Sequence, residues 1–312
     1  MKTILITGIG GDIAQSVAGI IAANRPGYRL VGVDVHAQHA GALYVSKSHV
    51  VPPAHALDYW TRLAEVMAEE SADLVIPMTE PELSVLLQLP SWPADGRWIT
   101  CGHDVVAAGV DKLETSRRLA HLGLAVPWTI PVVEGQPRAF PCIFKNRFGS
   151  GSRGVSIVRD AEEARYLAQR NPDGIFQELL LPDEKEITCA VYRTRDGHIA
   201  VLQLLRRLVG GFTGWAKVID DPDVARTCRI IAEGLSLEGS MNVQLRLTDS
   251  GPRVFEINPR FSSTALMRQK MGFTDVLWAV DEAEGKSAEL TVVEPGTIAL
   301  RTQNAVIIPN HS

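Results

Sequence analysis

Two short segments near the end of the chain hold oxygen donors at a spacing that could bind a metal. Between Met241 and Leu247, apolar Met241, Val243, Leu245 and Leu247 alternate with Asn242, Gln244 and Arg246, the period of a half-buried strand. Thr248-Asp249-Ser250-Gly251-Pro252 then has turn composition. The alternation predicts a second strand with Val254, Glu256 and Asn258 on one face and Phe255 and Ile257 on the other. Paired as a hairpin, the two strands gather Gln244, Glu256 and Asn258. One carboxylate beside two amide oxygens suits a hard cation such as Mg2+, which keeps waters and substrate phosphates as its other ligands. Pro259 stops the strand and Arg260 adds a cation. The expectation is a metal–nucleotide site.

Other residues could serve such a site, and each also has a plainer reading. Lys145 ends an apolar strand and is followed by a loop containing Gly149, Ser150, Gly151, Ser152, Arg153 and Gly154. Backbone N–H groups of such a loop can wrap phosphate oxygens while the lysine supplies charge. A ligand-free hairpin turn fits equally, and the Walker A pattern is not met, since Val155 stands where lysine is required. Glu178 and Glu186 flank Leu179-Leu180-Leu181-Pro182. That segment could hold an adenine and a ribose, or be a solvated acidic loop. Arg206 and Arg207 precede a glycine-rich stretch and could meet an anionic substrate, or lie in solvent. Gly8-x-Gly10-Gly11 with Asp34 partly fits a dinucleotide fingerprint, but Ile13 occupies its third glycine position. The histidines show no zinc spacing, and no G-x-S-x-G nucleophile elbow is present.

The elements that must position these groups follow from periodicity. The first third reads as an open α/β sheet: strands 3–7, 29–34 and 73–77, with helices near 12–23 and 59–70. Ligands of such sheets gather at the carboxyl ends of strands, here Gly10, Asp34 and Thr79 to Glu82. The middle predicts a helix from Asp111-Lys112 to Leu122, strands 126–133, 142–145 and 155–158, and a helix over 161–169. Beyond lie strands 175–179, 186–192 and 199–206, a helix over 223–235, the hairpin, two helices and one strand within 290–308. The chain has 312 residues, 46% hydrophobic, with a formal net charge of −5. That length allows two or three lobes, and the charge argues against nucleic acid or an anionic membrane as partner. No run nears the ~18 apolar residues of a spanning helix. The apolar start at Thr3–Thr7 reads as a strand, not a signal segment. Cys101, Cys142, Cys189 and Cys228 are widely spaced, the pattern of buried thiols in a cytoplasmic protein.

Taken in order, the elements resemble the ATP-grasp superfamily, nearest its carbamoyl-phosphate-synthase-like branch with its small stand-alone carboxylate–amine ligases. Asp111-Lys112-Leu113-Glu114-Thr115 looks like that branch's D-K-x-x-T, and Glu256-Ile257-Asn258-Pro259-Arg260 like its E-x-N-P-R. The resemblance spans nearly the whole chain. It implies a mixed α/β and α+β fold: a Rossmann-like domain over 1–110, a small lid lobe over 111–174 and a large metal-binding lobe over 175–312. It further implies ATP and two Mg2+ ions, with Mn2+ able to substitute, and small-molecule carboxylate and amine substrates; a homodimer is compatible with it. Lys112 and Lys145 would contact phosphates under the Gly149–Gly154 lid. Glu178 and Leu180 would hold adenine, and Glu186 ribose. Gln244 and Glu256 would bind one ion, Glu256 and Asn258 the other. Arg260, helped by Arg206, would stabilise the transferring phosphoryl group. Gly10, Asp12, Thr79, Glu80, Glu82 and the Arg206–Trp215 loop would meet the substrate, the acids taking an amino group and the arginines a carboxylate. The short chain argues against a full carbamoyl-phosphate synthase or a biotin carboxylase. The implied activity is joining a carboxylate, activated as an acyl phosphate, to an amine, with an amino acid or small peptide as substrate. An enzyme that stops at an acyl or carbamoyl phosphate, and a non-catalytic ATP binder, remain as alternatives.

Overall fold

A computed structural model describes residues 1–93, 96–149 and 154–302. In the N-terminal region, β1 (Lys2–Thr7), α1 (Asp12–Asn24), β2 (Tyr28–Asp34), β3 (Lys47–Val50), α2 (Tyr59–Glu69) and β4 (Leu74–Ile76) form an all-parallel sheet of order β3-β2-β1-β4 with helices. β1, β2 and β4 carry apolar runs because both their faces are covered, whereas the edge strand β3 is polar and largely exposed. Ala14, Val17, Ala18 and Ile21 recur at helical spacing and make the buried side of α1. The strand Phe212–Ile219, which replaces much of the loop expected over 206–215, lay outside the sequence reading, and so did three short elements of this region: β3, α3 (Glu80–Leu86) and α4 (His103–Gly109). Each of these three carries too few residues for its periodicity to stand out.

The chain then crosses through α5 (Lys112–His121) into a small antiparallel lobe. It comprises β5 (Thr129–Pro131), β6 (Cys142–Asn146), β7 (Ser156–Val158), α6 (Ala161–Arg170) and β8 (Gly174–Glu178), in sheet order β5-β8-β6-β7. Since β8 pairs with both β5 and β6, this sheet runs past the expected boundary at 174, to Glu178. Val132, Cys142, Phe144, Val158, Ala164 and Phe176 form its own core.

The large lobe contains β9 (Glu186–Arg193), β10 (Ile199–Val209), β11 (Phe212–Ile219), α7 (Pro222–Gly234), β12 (Gly239–Thr248), β13 (Gly251–Asn258), α8 (Ala265–Met271), α9 (Asp275–Ala283) and β14 (Ile298–Leu300). Its antiparallel sheet has the order β13-β12-β9-β10-β11-β14. On one face Ile187, Cys189, Val191, Met241 and Val243 pack on α7 residues such as Val224 and Ile231. On the other, Ala190, Tyr192, Leu202 and Leu204 share a core with α8, α9 and α1. The parallel domain and the large lobe therefore bury a common apolar interior. Among the described residues, no helix is long and apolar enough to cross a membrane.

Candidate active site

The period of two along four strands gathers polar side chains at one end of the large sheet. Glu186 and Thr188 of β9, Arg206 of β10, Asn242, Gln244 and Arg246 of β12, and Glu256 and Asn258 of β13 alternate with the core residues of the opposite face. Gln244 lies opposite Glu256, and Asn242 opposite Asn258. The hairpin differs from strict alternation at one point. A bulge after Gln244 pairs Leu245 with Val254, leaving Phe255 as the extra residue. Val254 consequently joins the buried core, 1% exposed, instead of sharing the face of Glu256.

Two cavities meet on this polar face. The larger, about 250 Å³, lies between the lobes and is lined by Lys112, Lys145, Gly149, Glu178, Leu180 and Glu186, among others. The smaller, about 80 Å³, is lined by Ile13, Thr188, Asn242, Asn258, Ser262 and both Arg206 and Arg260. Leu208, Gln244 and Glu256 line both. Among the described residues, the Glu256 carboxylate makes no hydrogen bond or ion pair, and Asn258 Nδ2 is buried without a partner. An unengaged carboxylate where two cavities meet fits a hard cation, which takes oxygen ligands. Gln244, Glu256 and Asn258 could hold one.

The lysines are placed by distinct devices. Asp111 caps α5 by accepting from the Leu113 and Glu114 N–H groups, and it also takes the Arg147 guanidinium at 2.8 and 2.6 Å. One side chain thus fixes the helix start against the end of β6, and Lys112 follows directly, with its ammonium donating to the Gly149 carbonyl. Lys145 is 6% exposed, donates to the Phe255 carbonyl at 3.2 Å and lies over the Phe255 ring. Burial lowers its pKa to about 8; Lys112 pushes in the same direction and Glu256 opposes both. Gly149 and Gly154 have positive φ, as an open glycine loop requires. Ser150, Gly151, Ser152 and Arg153 lie outside the described residues.

At the base of the larger cavity the acids are already engaged. Glu178 accepts from the Trp128 N–H and from Arg253. Glu186 accepts from Arg206 at 2.9 and 2.6 Å through one oxygen and from Arg246 at 2.6 Å through the other. Arg206 also donates to Gln244 Oε1 at 2.8 Å. Arg246 donates in turn to the Leu180 carbonyl at 2.6 Å. Arg246 and Phe255 line this cavity and were not among the expected site residues; alternation with Gln244 was a signal for Arg246, whereas Phe255 reaches the cavity only through the bulge.

The N-terminal candidates separate. Glu80 reaches Arg260 at 3.1 Å, and both side chains are under 10% exposed. Burial raises the Glu80 pKa and Glu256 adds to the rise, while Arg260 and Lys112 oppose it. Gly109 is what lets α4 approach this loop, since a Cβ there would meet Pro259 Cδ at 2.6 Å. Glu82, by contrast, is a structural acid. Its oxygens accept from Thr7 Oγ1, Thr79 Oγ1 and Tyr59 Oη at 2.5 to 2.8 Å, in a capping box with Thr79. Its carboxylate is committed to Thr7 of β1, Tyr59 of α2 and the Thr79 cap of α3, against the expectation of substrate contact. Gly10 donates its N–H to Asp34 at 2.8 Å, so the early glycine turn is tied to the acid beside it. Asp12 lies 3.8 Å from Arg301 at the start of α1.

The ATP-grasp domain family model matches residues 110–264. This chain carries an ATP-grasp domain. It is 27% identical over 283 residues to the formate-dependent phosphoribosylglycinamide formyltransferase of Proteus mirabilis, covering 82% of this chain and 68% of that protein. It is 26% identical over 246 residues to the D-alanine–D-alanine ligase of Mycolicibacterium vanbaalenii, covering 67% and 64%. The chain thus spans roughly two thirds of these relatives, and 49% of a second formyltransferase, from Thioalkalivibrio sulfidiphilus. In fold it is similar to an N5-carboxyaminoimidazole ribonucleotide synthetase in complex with ADP, at TM-score 0.75 and 19% identity, covering 95% of this chain and 80% of that one. An L-amino acid ligase from Bacillus licheniformis aligns at TM-score 0.70 and 16% identity, covering 91% and 74%.

Proposed function

We propose that this protein is an ATP- and Mg2+-dependent, ADP-forming ligase that activates a carboxylate and joins it to an amine, with an amino acid or small peptide as substrate. The observation that carries this reading is Glu256, an unengaged carboxylate flanked by Gln244 and Asn258 where the two cavities meet. The larger cavity has two lysines for phosphates and an apolar hinge at Leu179-Leu180 for a base. The smaller one has two arginines where an acid would lie. The relatives named as a formyltransferase and as ligases of alanine and amino acids support the same class.

In the first step a carboxylate oxygen of the acid attacks the γ-phosphorus of ATP and the bond to the β-phosphate oxygen breaks, giving an acyl phosphate and ADP. An amine nitrogen then attacks the acyl carbon, the carbon–oxygen bond to phosphate breaks, and the amine loses a proton. Gln244, Glu256 and Asn258 would hold two Mg2+ ions, with Mn2+ able to substitute, and these would supply neutralising charge to the phosphates. Lys112 and Lys145 bind phosphates, and Arg260 supplies charge where it builds up in transfer. Glu80 orients Arg260 through their ion pair.

The test is phosphate and ADP release over a matrix of small acids and amines. Glu256→Ala should lower turnover about 100-fold or more, the scale of losing a charge-stabilising contact. Full turnover in that variant, or AMP and pyrophosphate as products, contradicts the reading. Hydroxamate trapping without amine would reveal an enzyme that stops at the acyl phosphate.

A further inference from the structure

A third cavity, about 530 Å³, opens at the other end of the large sheet. β9 links the two places, with Glu186 at its start in the proposed nucleotide site and Arg193 at its end. Seven residues at the rise of a strand put them about 23 Å apart. The wall includes Trp98, Arg193, Arg195, Leu237, Glu238 and Glu282. Its volume falls within the roughly 300–1,000 Å³ of small-molecule sites. Arg193 pairs with Gly239 in the ladder and donates to the Leu237 carbonyl at 3.2 Å, yet its Nε is closed to solvent without a partner. Among the described residues, neither Arg193 nor Arg195 makes an ion pair. Glu282, the buried acid of the wall, is engaged elsewhere: its oxygens accept from Tyr192 Oη at 2.8 Å and from the Arg195 N–H at 2.9 Å. Glu238 is exposed and anchored by its N–H on the Cys101 carbonyl at 3.2 Å. Its carboxylate makes no hydrogen bond or ion pair among the described residues. Trp98 packs edge-on against Trp60, with ring centroids 5.9 Å apart, and is half-buried.

Open charges of both signs beside an indole ask for a ligand with both charges and a ring. A guanidinium takes a carboxylate through parallel hydrogen bonds, and a carboxylate takes an ammonium. An indole takes a second ring in offset or edge-to-face contact. A simple anion would satisfy the arginines and be repelled by Glu238. We infer that this cavity binds a free α-amino acid with an aromatic side chain, its carboxylate on Arg193 and Arg195, its ammonium on Glu238 and its ring on Trp98. At roughly 10–15 Å³ for each water-sized group, the dozen heavy atoms of phenylalanine need about 120–180 Å³, so an indole side chain fits as well. Among the described residues, this cavity shares no lining residue with the two that meet at Glu256.

The experiment measures binding of L-phenylalanine, glycine, 3-phenylpropionate and phenethylamine by calorimetry, with Mg–ADP saturating. Expected is one phenylalanine per chain, and binding at least about 10-fold weaker for the other three, which lack the ring, the amine or the acid. Arg195→Gln and Glu238→Gln change exposed side chains and should each weaken phenylalanine about 10-fold, with melting temperature unchanged. Arg193→Gln should weaken it further, and the two exposed variants keep the test decisive should that one fold poorly. Phenylalanine should also change the indole fluorescence, and Trp98→Phe should lose most of that change while retaining binding. No binding up to about 10 mM, wild-type affinity in both Arg195→Gln and Glu238→Gln, or phenylpropionate as tight as phenylalanine overturns the assignment. Unchanged binding in Glu256→Ala, whatever that variant does to turnover, supports a site apart from the proposed ligase centre; loss of binding there overturns it.

Discussion

At the scale of single residues, the fold buries charge at a cost. Lys145 shows this most plainly, because burial brings its pKa down to about 8 from the usual 10.5. The unfolded chain keeps that proton up to about 10.5, so the fold bears the cost of the buried charge below pH 8. The cost is relieved as pH rises through the window between the two values. Phosphate oxygens beside the ammonium reverse the shift and return the proton. Mg–ADP binding at pH 8.5 should therefore take up a fraction of a proton from solvent, visible as a dependence of calorimetric heat on buffer ionisation enthalpy. Lys145→Met should abolish the uptake along with most of the affinity. An uptake that persists in that variant would assign the proton to another group.

At the scale of elements, much was legible because periodicity is local and strong. The alternation of Met241 to Leu247 predicts a strand with Gln244 on the face opposite its apolar residues, and the strand Gly239–Thr248 has that pattern. What could not be read is the bulge at Phe255. Alternation alone places Val254 with Glu256, whereas the ladder inserts one residue, sends Val254 to the core and frees the Phe255 carbonyl to accept from Lys145. A bulge is decided by the partner strand's register, which a single segment does not encode. The acidic pair Glu80 and Glu82 was ambiguous for a similar reason. Both stand at a strand end, but only the three-dimensional neighbours Thr7, Tyr59 and Arg260 set one in a cap and pair the other with an arginine. Asp111 offers the sharpest test at this scale, since it joins the start of α5 to Arg147. Asp111→Ala loses both contacts and should cost about 1–3 kcal/mol, with a raised KM for ATP. Asp111→Asn keeps the cap and should cost less. Equal urea stability of the two variants would show that the cap contributes nothing beyond the ion pair.

At the scale of the whole molecule, the lobes are unequal in how they are held. The parallel domain and the large sheet share one apolar interior that runs from Ile4, Ile6 and Ile21 to Tyr192, Leu204, Trp278 and Val280. Ion pairs such as Arg25–Asp281 at 2.5 Å and Arg268–Asp275 at 2.7 Å, the latter fully buried, tie α1 to α9 and α8 to α9. The small lobe has only its own modest core around Phe144 and Phe176, and apolar Phe148, Val155 and Ile157 on it are about half exposed. Regions with little buried apolar surface open at a lower free energy than the global unfolding they belong to. Backbone amides of β6, β7, β8 and α6 should therefore exchange hydrogen through a sub-global opening, well before those of β1, β9 and β12. Mg–ADP bridges Lys145 and Leu180 of the small lobe and hinge to Glu256 of the large one in the proposed site, so it should slow exchange in the small lobe most. The measurement is peptide-level hydrogen exchange with and without Mg–ADP. Uniform protection across the three sheets would mean that the lobes open as one unit, and that the large cavity is a fixed cleft and not a hinge.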